Sequence, residues 1–145
     1  MDRIVLSLLV DNTSGVLSRV AGLFSRRGYN IESLTVGVTA DPRYSRMTVV
    51  STGDQKILEQ IEKQLRKLED VRDIKELRPG HSVYRELIMV KIRANSSERQ
   101  AISAISDIFR AKIVDVQEES MIIELTGTQS KLEGFMNLLK GYEIL

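Results

Sequence analysis

The residues that could do covalent chemistry in this chain are few, and their types exclude most of it. The 145 residues include no Cys and one His, His81. Thiolate catalysis, disulfides, Cys-based zinc and iron–sulfur ligation are excluded, as is a multi-His metal site. No Gly-x-Ser-x-Gly elbow is present. His81 stands beside Pro79-Gly80 and reads as an exposed linker histidine. The pair Glu118-Glu119 would point to opposite faces of a strand, so it reads as a hairpin turn. Arg26-Arg27 could hold an anion, but cations in a last helical turn serve equally as a cap. Neither a catalytic group nor a metal-ligand set is expected.

The loop Asp11-Asn12-Thr13-Ser14-Gly15-Val16-Leu17 is a different matter. It joins an apolar run to the start of a helical pattern. The first amides of a helix have no intrahelical acceptor and carry partial positive charge. Gly15 lets a ligand approach the backbone closely, and a small carboxylate suits such a place. The Asn12 carboxamide offers a donor and an acceptor, and Val16 and Leu17 offer an apolar wall. The set fits a free aliphatic amino acid. The same residues also serve as ordinary helix caps.

The elements that must position this loop follow from periodicity. Ile4 to Val10 is a branched, apolar run that reads as a buried strand. Val16, Leu17, Val20, Leu23 and Phe24 recur at helical spacing, and Gly28 is placed to end that helix. From Asn30 to Thr39 the residues alternate, with Ile31, Ser33, Thr35, Gly37 and Thr39 on one face and Glu32, Leu34, Val36 and Val38 on the other. Asp41-Pro42-Arg43 is a turn, and Tyr44 to Thr52 completes a hairpin. A second helix follows Gly53-Asp54, with Ile57, Leu58, Ile61, Leu65 and Leu68 as its stripe. Its other face carries Glu59 with Lys63 and Glu62 with Arg66 at (i, i+4) spacing. Val71 to Leu77 is a last strand. The order β-α-β-β-α-β is ferredoxin-like.

After Arg78-Pro79-Gly80-His81-Ser82 the plan starts again. Leu87 to Ile92, the cap cluster Asn95 to Glu98, a helix stripe from Ala101 to Phe109, strands at 113–116 and 121–126, and a helix carrying Leu132, Phe135 and Leu139 repeat the order. Thr52-Gly53-Asp54-Gln55 matches Thr126-Gly127-Thr128-Gln129, and Met47 and Met121 take equivalent core positions. The expected fold is α+β, two tandem ferredoxin-like (βαββαβ) domains. The first covers residues 1–78, a linker 79–83, and the second 84–145, its closing strand from Tyr142 to Leu145 short or absent.

The loop and helix through Val20 resemble an ACT domain. The run Gly22-Leu23-Phe24-Ser25-Arg26-Arg27-Gly28-Tyr29-Asn30-Ile31-Glu32-Ser33-Leu34 resembles the regulatory small subunit of acetolactate synthase. Asp41-Pro42, Ser45-Arg46-Met47-Thr48 and Gln60 to Leu65 extend the match, and Arg85 to Lys91 with Ile113 to Val116 continue it more loosely. The resemblance implies a non-catalytic chain that binds valine or another branched-chain amino acid. It would confer feedback inhibition on a separate catalytic large subunit and activate it. Thiamine diphosphate, Mg and FAD would belong to that partner, with no cofactor in this chain. It further implies a homodimer through paired ACT domains. Asn12, Gly15, Val16 and Leu17 from one chain would share the effector with Asn30 and Ile31 from the other. The resemblance also implies a longer polar tail than the present chain has.

Other readings remain at this stage: an ACT-type sensor serving another enzyme, an acylphosphatase-like hydrolase, or an RNA-binding module. Asp11 stands where a phosphate loop would need a cation, and the early strands lack the aromatics an RNA-binding sheet needs. A net charge of +1 gives no sign of a nucleic-acid partner. The run Ile4 to Val10 is too short to span a membrane. A cytoplasmic setting is expected.

Overall fold

The computed structural model describes residues 2–145. They fall into two units, one ending at Ser82 and one running from Val83 to Leu145. In the first, the strands are β1 (Asp2–Asp11), β2 (Ile31–Val38), β3 (Tyr44–Gly53) and β4 (Val71–Glu76). The helices are α1 (Val16–Arg26) and α2 (Gln55–Arg66). The sheet order is β2-β3-β1-β4, every pair antiparallel. This is the expected ferredoxin-like plan, and the next unit repeats it.

Alternation on β1 explains which face is covered. Ile4, Leu6, Leu8 and Val10 lie across from Ser51, Val49, Met47 and Ser45 of β3. They are buried under Val20, Leu23 and Phe24 of α1 and Leu58, Ile61 and Leu65 of α2. The strict alternation expected along β2 does not hold. A bulge between Ile31 and Ser33 places Ile31 on the helix-facing side, with Leu34, Val36 and Val38, because one extra residue inverts the parity. Ile31 packs against the core. Leu34, Val36 and Val38 face the same way but stay exposed at the sheet edge.

The second unit holds β5 (Glu86–Arg93), α3 (Arg99–Phe109), β6 (Lys112–Val116), β7 (Ser120–Gly127) and α4 (Gln129–Leu138), with sheet order β5-β7-β6. Its edge strand β6 carries a bulge between Ile113 and Asp115, as the edge strand β2 does near its own start. The closing strand is reduced to one bridge between Ile144 and Ile92. Arg93 N–H donates to Glu143 O at 2.9 Å and Leu145 N–H to Lys91 O at 2.8 Å. Phe109 and Phe135 meet edge to face at 5.3 Å between the two helices.

Each unit therefore has its own core. Phe135→Ala removes a fully buried ring and should cost about 3–5 kcal/mol. Native-state hydrogen exchange should show the resulting acceleration concentrated in residues 83–145.

Candidate functional site

The β1–α1 loop does not end in a side-chain cap. The cap residue of α1 is Gly15, at φ 86° and ψ −7°, and no side chain accepts from the first turn. The left-handed conformation disfavours any residue with a Cβ. The amides of Val16, Leu17 and Ser18 precede the first intrahelical bond, from Arg19 N–H to Gly15 O at 3.0 Å. The other helix starts are served from within the chain. Asp54 accepts from Ile57 N–H at 2.9 Å on α2, and Thr128 caps α4 through Lys131 N–H. Before α3, Asn95 Oδ1 accepts from the N–H groups of Ser97 and Glu98 at 3.0 Å, and Glu98 reaches back to Asn95 N–H. That reciprocal arrangement is a capping box. At the cap residue itself α1 and α3 carry no side-chain bond, but the turn before α3 is closed by Asn95 and Glu98, whereas the loop before α1 offers its first amides no such side chain.

Both ends of the Asn12 carboxamide are engaged. Nδ2 donates to Pro42 O at 2.9 Å, and Oδ1 accepts from Ser45 Oγ at 3.2 Å. Asn12 N–H donates to Arg43 O at 2.8 Å. The side chain expected to meet a ligand also fastens the loop to the β2–β3 hairpin. That hairpin turn is closed by Arg43 on Asp41, with 2.7 Å from Nη2 to Oδ2.

A second set of contacts fastens the loop to the α2–β4 turn. Asp11 N–H donates to Asp70 O at 2.9 Å. Arg72 grips the Asp11 carboxylate with two N–H groups at 2.7 and 3.0 Å, and Arg19 Nε donates to Asp70 Oδ2 at 2.5 Å. The hydrogen bonds from Arg72 and Arg43 hold the carboxyls of Asp11 and Asp41 below the usual carboxylate range. Sequence reasoning missed these pairs. Asp11 and Arg72 are 61 residues apart, Arg19 and Asp70 are 51 apart, and no local signal connects them.

The remaining expected residues divide. Val16 is 2% exposed and belongs to the core rather than to an open wall. Its position at the helix start turns it under α1. Leu17, 44% exposed, is free to line a site. Asn30 is exposed; its carbonyl accepts from Ser51 Oγ at 2.6 Å, and its carboxamide has no partner among the described residues. Gly15 and Asn30 lie at opposite ends of the sheet. Asn12 stands beside Ser45 and Asn30 beside Ser51, six strand residues away or about 20 Å. One chain does not bring the two groups together.

Other places offer less. A cleft of about 550 Å³ is lined by Glu62, Arg66, Ile74, Glu76, Arg78 and His81, among others. Its carboxylates are already taken, Glu62 by Arg66 at 2.8 Å and Glu76 by Arg78 at 3.3 Å. Among the described residues no group of three or more His, Cys, Asp or Glu could hold a metal ion. No described helix is long and apolar enough to cross a membrane.

A ferredoxin-like sheet in this order, with a glycine-led helix start at one sheet end, is compatible with the ACT type of domain. The family described as the AHAS small subunit-like ACT domain matches residues 6–73. The one described as small subunit of acetolactate synthase matches residues 85–145. The acetolactate synthase isozyme 3 small subunit of Salmonella typhimurium is 51% identical over 138 residues, covering 95% of this chain and 85% of that protein. A probable acetolactate synthase small subunit from Methanothermobacter thermautotrophicus is 48% identical over 144 residues, covering 99% and 86%. The crystal structure of the Thermotoga maritima acetolactate synthase small subunit superposes with a TM-score of 0.90 at 43% identity, covering 99% of this chain and 91% of that one. The chain belongs to the acetolactate synthase small-subunit family, and its ACT-type unit supports a regulatory role.

Two outcomes test this account of the loop. Asn12→Ala should cost about 1–2 kcal/mol in urea unfolding and loosen the 41–45 turn in hydrogen exchange. For Asp11, a depressed folded pKa means stability present above the unfolded value, about 3.9, and lost as pH falls through the lower folded value. Asp11→Asn should therefore be less stable than the parent at pH 6. The gap between their urea midpoints should close by about pH 2.

Proposed function

We propose that this chain is the regulatory subunit of an acetolactate synthase, with a branched-chain amino acid, chiefly valine, as its feedback effector. The supporting observation is the β1–α1 loop of the family's ACT unit, which enters α1 through a left-handed glycine and leaves the first amides without a side-chain acceptor, whereas α2 and α4 are capped by Asp54 and Thr128. The amides at Gly15, Val16 and Leu17 take the ligand carboxylate. The Leu17 side chain and the edge-strand aliphatics enclose the branched side chain. Asn12 holds the loop in place.

The edge strand supplies the argument for a shared site. β2 presents Leu34, Val36 and Val38, the last 62% exposed, beside unpaired backbone groups. Such an edge is a template for another strand. Pairing β2 antiparallel with its copy about a two-fold axis at mid-strand sets the Val38 end of one chain beside the Ile31 end of the other. Asn30 and Ile31 of the second chain then lie near Asn12 and Gly15 of the first. This homodimer makes each site from two chains and closes the 20 Å separation found within one. A ligand bridging two chains favours the paired state by its differential affinity, which couples binding to assembly.

The partner in this reading is the catalytic large subunit, cytoplasmic like this chain. Thiamine diphosphate, Mg and FAD reside there. The small chain inhibits that subunit when loaded with effector and activates it otherwise. Discrimination among valine, leucine and isoleucine is modest, because one methylene in an apolar pocket changes binding by about 1–3 kcal/mol.

Thermal unfolding of the full chain tests the reading. At a hundred times its dissociation constant valine adds about 2.7 kcal/mol, a rise of several degrees in the midpoint. Lysine should produce none. Gly15→Ala, strained at φ 86°, and Asn30→Ala should each lose the valine response. Val36→Lys should yield monomers by light scattering and lose it as well. A monomeric Val36→Lys protein that still responds fully would refute the shared site.

A further inference from the structure

Arg19 occupies an unusual place for a cation. It lies in the second turn of α1, close to the positive end of the helix dipole, where anions are favoured and cations are not. Helix side chains lean toward the N-terminus, and Arg19 folds back accordingly. A Cβ placed on Gly15 would come within 2.9 Å of Arg19 Nη1 and 3.7 Å of Cζ. The guanidinium thus lies alongside the left-handed residue that opens the site.

Asp70 holds it there. Arg19 Nε donates to Asp70 Oδ2, and the main chain of Asp70 is itself tied to β1 by Asp11 N–H. The carboxylate raises the already high Arg19 pKa, so the guanidinium stays charged. Only Nε is used. Nη1 and Nη2 have no protein acceptor among the described residues, and Nη1 is the atom nearest Gly15. An arginine gripped at one edge presents the planar fork that matches a carboxylate. The four charges around the loop, Asp11 and Asp70 against Arg19 and Arg72, balance, so an arriving anion meets open amides and free guanidinium donors with no net negative field.

We propose that Arg19 is the effector's carboxylate-binding residue and that Asp70 is its positioning residue. This rests on the amino-acid-binding reading above and deepens it: the ligand class is an aliphatic amino acid with a free α-carboxylate. The amides of α1 and Nη1 of Arg19 take the two carboxylate oxygens. The short-range demand for a Gly at position 15 then has a second cause, since any side chain there would displace the guanidinium as well as strain the backbone.

Valine and valinamide, which lacks the negative charge, separate this role from a surface strap. Calorimetry on the full-length parent should show valine favoured over valinamide by at least tenfold. Arg19→Gln should weaken valine roughly tenfold or more and leave valinamide little changed, collapsing the ratio. Arg19→Lys should keep part of the preference. Asp70→Asn should reduce the ratio several-fold in the same direction. The ligand-free melting midpoints of these variants should move little, because an exposed pair contributes little to stability. If the parent binds valine and Arg19→Gln keeps the parent's ratio, the assignment of Arg19 is wrong and the effector site stands. If the parent binds neither compound, the amino-acid-binding reading falls, and this inference with it.

Discussion

A single left-handed residue sets the terms for the rest of the first unit. At Gly15 the chain leaves β1 and enters α1 without a side chain to meet the first amides. Such a helix start is stable only if the loop before it is held by other means. Asn12 fastens it to one neighbouring turn, and Asp11, through its amide on Asp70 O and its carboxylate on Arg72, fastens it to another. The surrounding polar residues thus brace the loop, and the first amides of α1 keep no side-chain acceptor. Moving a side chain into the cap position would close the opening that these contacts surround.

The second unit shows what the same plan becomes when that opening is not kept. The turn before its helix is closed by Asn95 and Glu98. The β6–β7 turn is tied down by Arg99, whose Nη2 donates to Gln117 O and Glu118 O at 2.9 and 2.8 Å. Both units have bulged edge strands and buried methionines, Met47 and Met121, at matching positions. The shared features are those of packing. The difference lies in four or five loop residues, where a fold can change function at small structural cost.

The edge strands connect packing to assembly. Leu34, Val36 and Val38 share the helix-facing side with Met47 and Val49, yet only the latter two are covered. Their exposure follows from their place in the sheet, since β2 has a neighbour on one side only. An apolar face with free backbone groups is a liability in isolation and an interface in a dimer. The separation of Gly15 from Asn30 within one chain points the same way.

Much of this was legible in the residues alone. Two ferredoxin-like halves, their helix stripes and strand cores follow from local periodicity, because burial of one face imposes a repeat of about two or 3.6 residues. The family follows from the run between Gly22 and Leu34. The unusual character of the Asn12–Leu17 loop was visible, but the contacts its residues make were not. No local signal shows that Asn12 is tied to the chain through Pro42 and Ser45. Val16 could have lined a site, and the turn into α1 sent it to the core. A bulge at the start of β2 reversed the face of Ile31. The ion pairs of Arg19 with Asp70 and of Arg72 with Asp11 join residues more than fifty positions apart. Periodicity is a local property of a chain, so the sequence determined the elements and their buried faces. Which polar groups are tied into the fold depends on neighbours supplied by distant segments, and only the tertiary structure decided that.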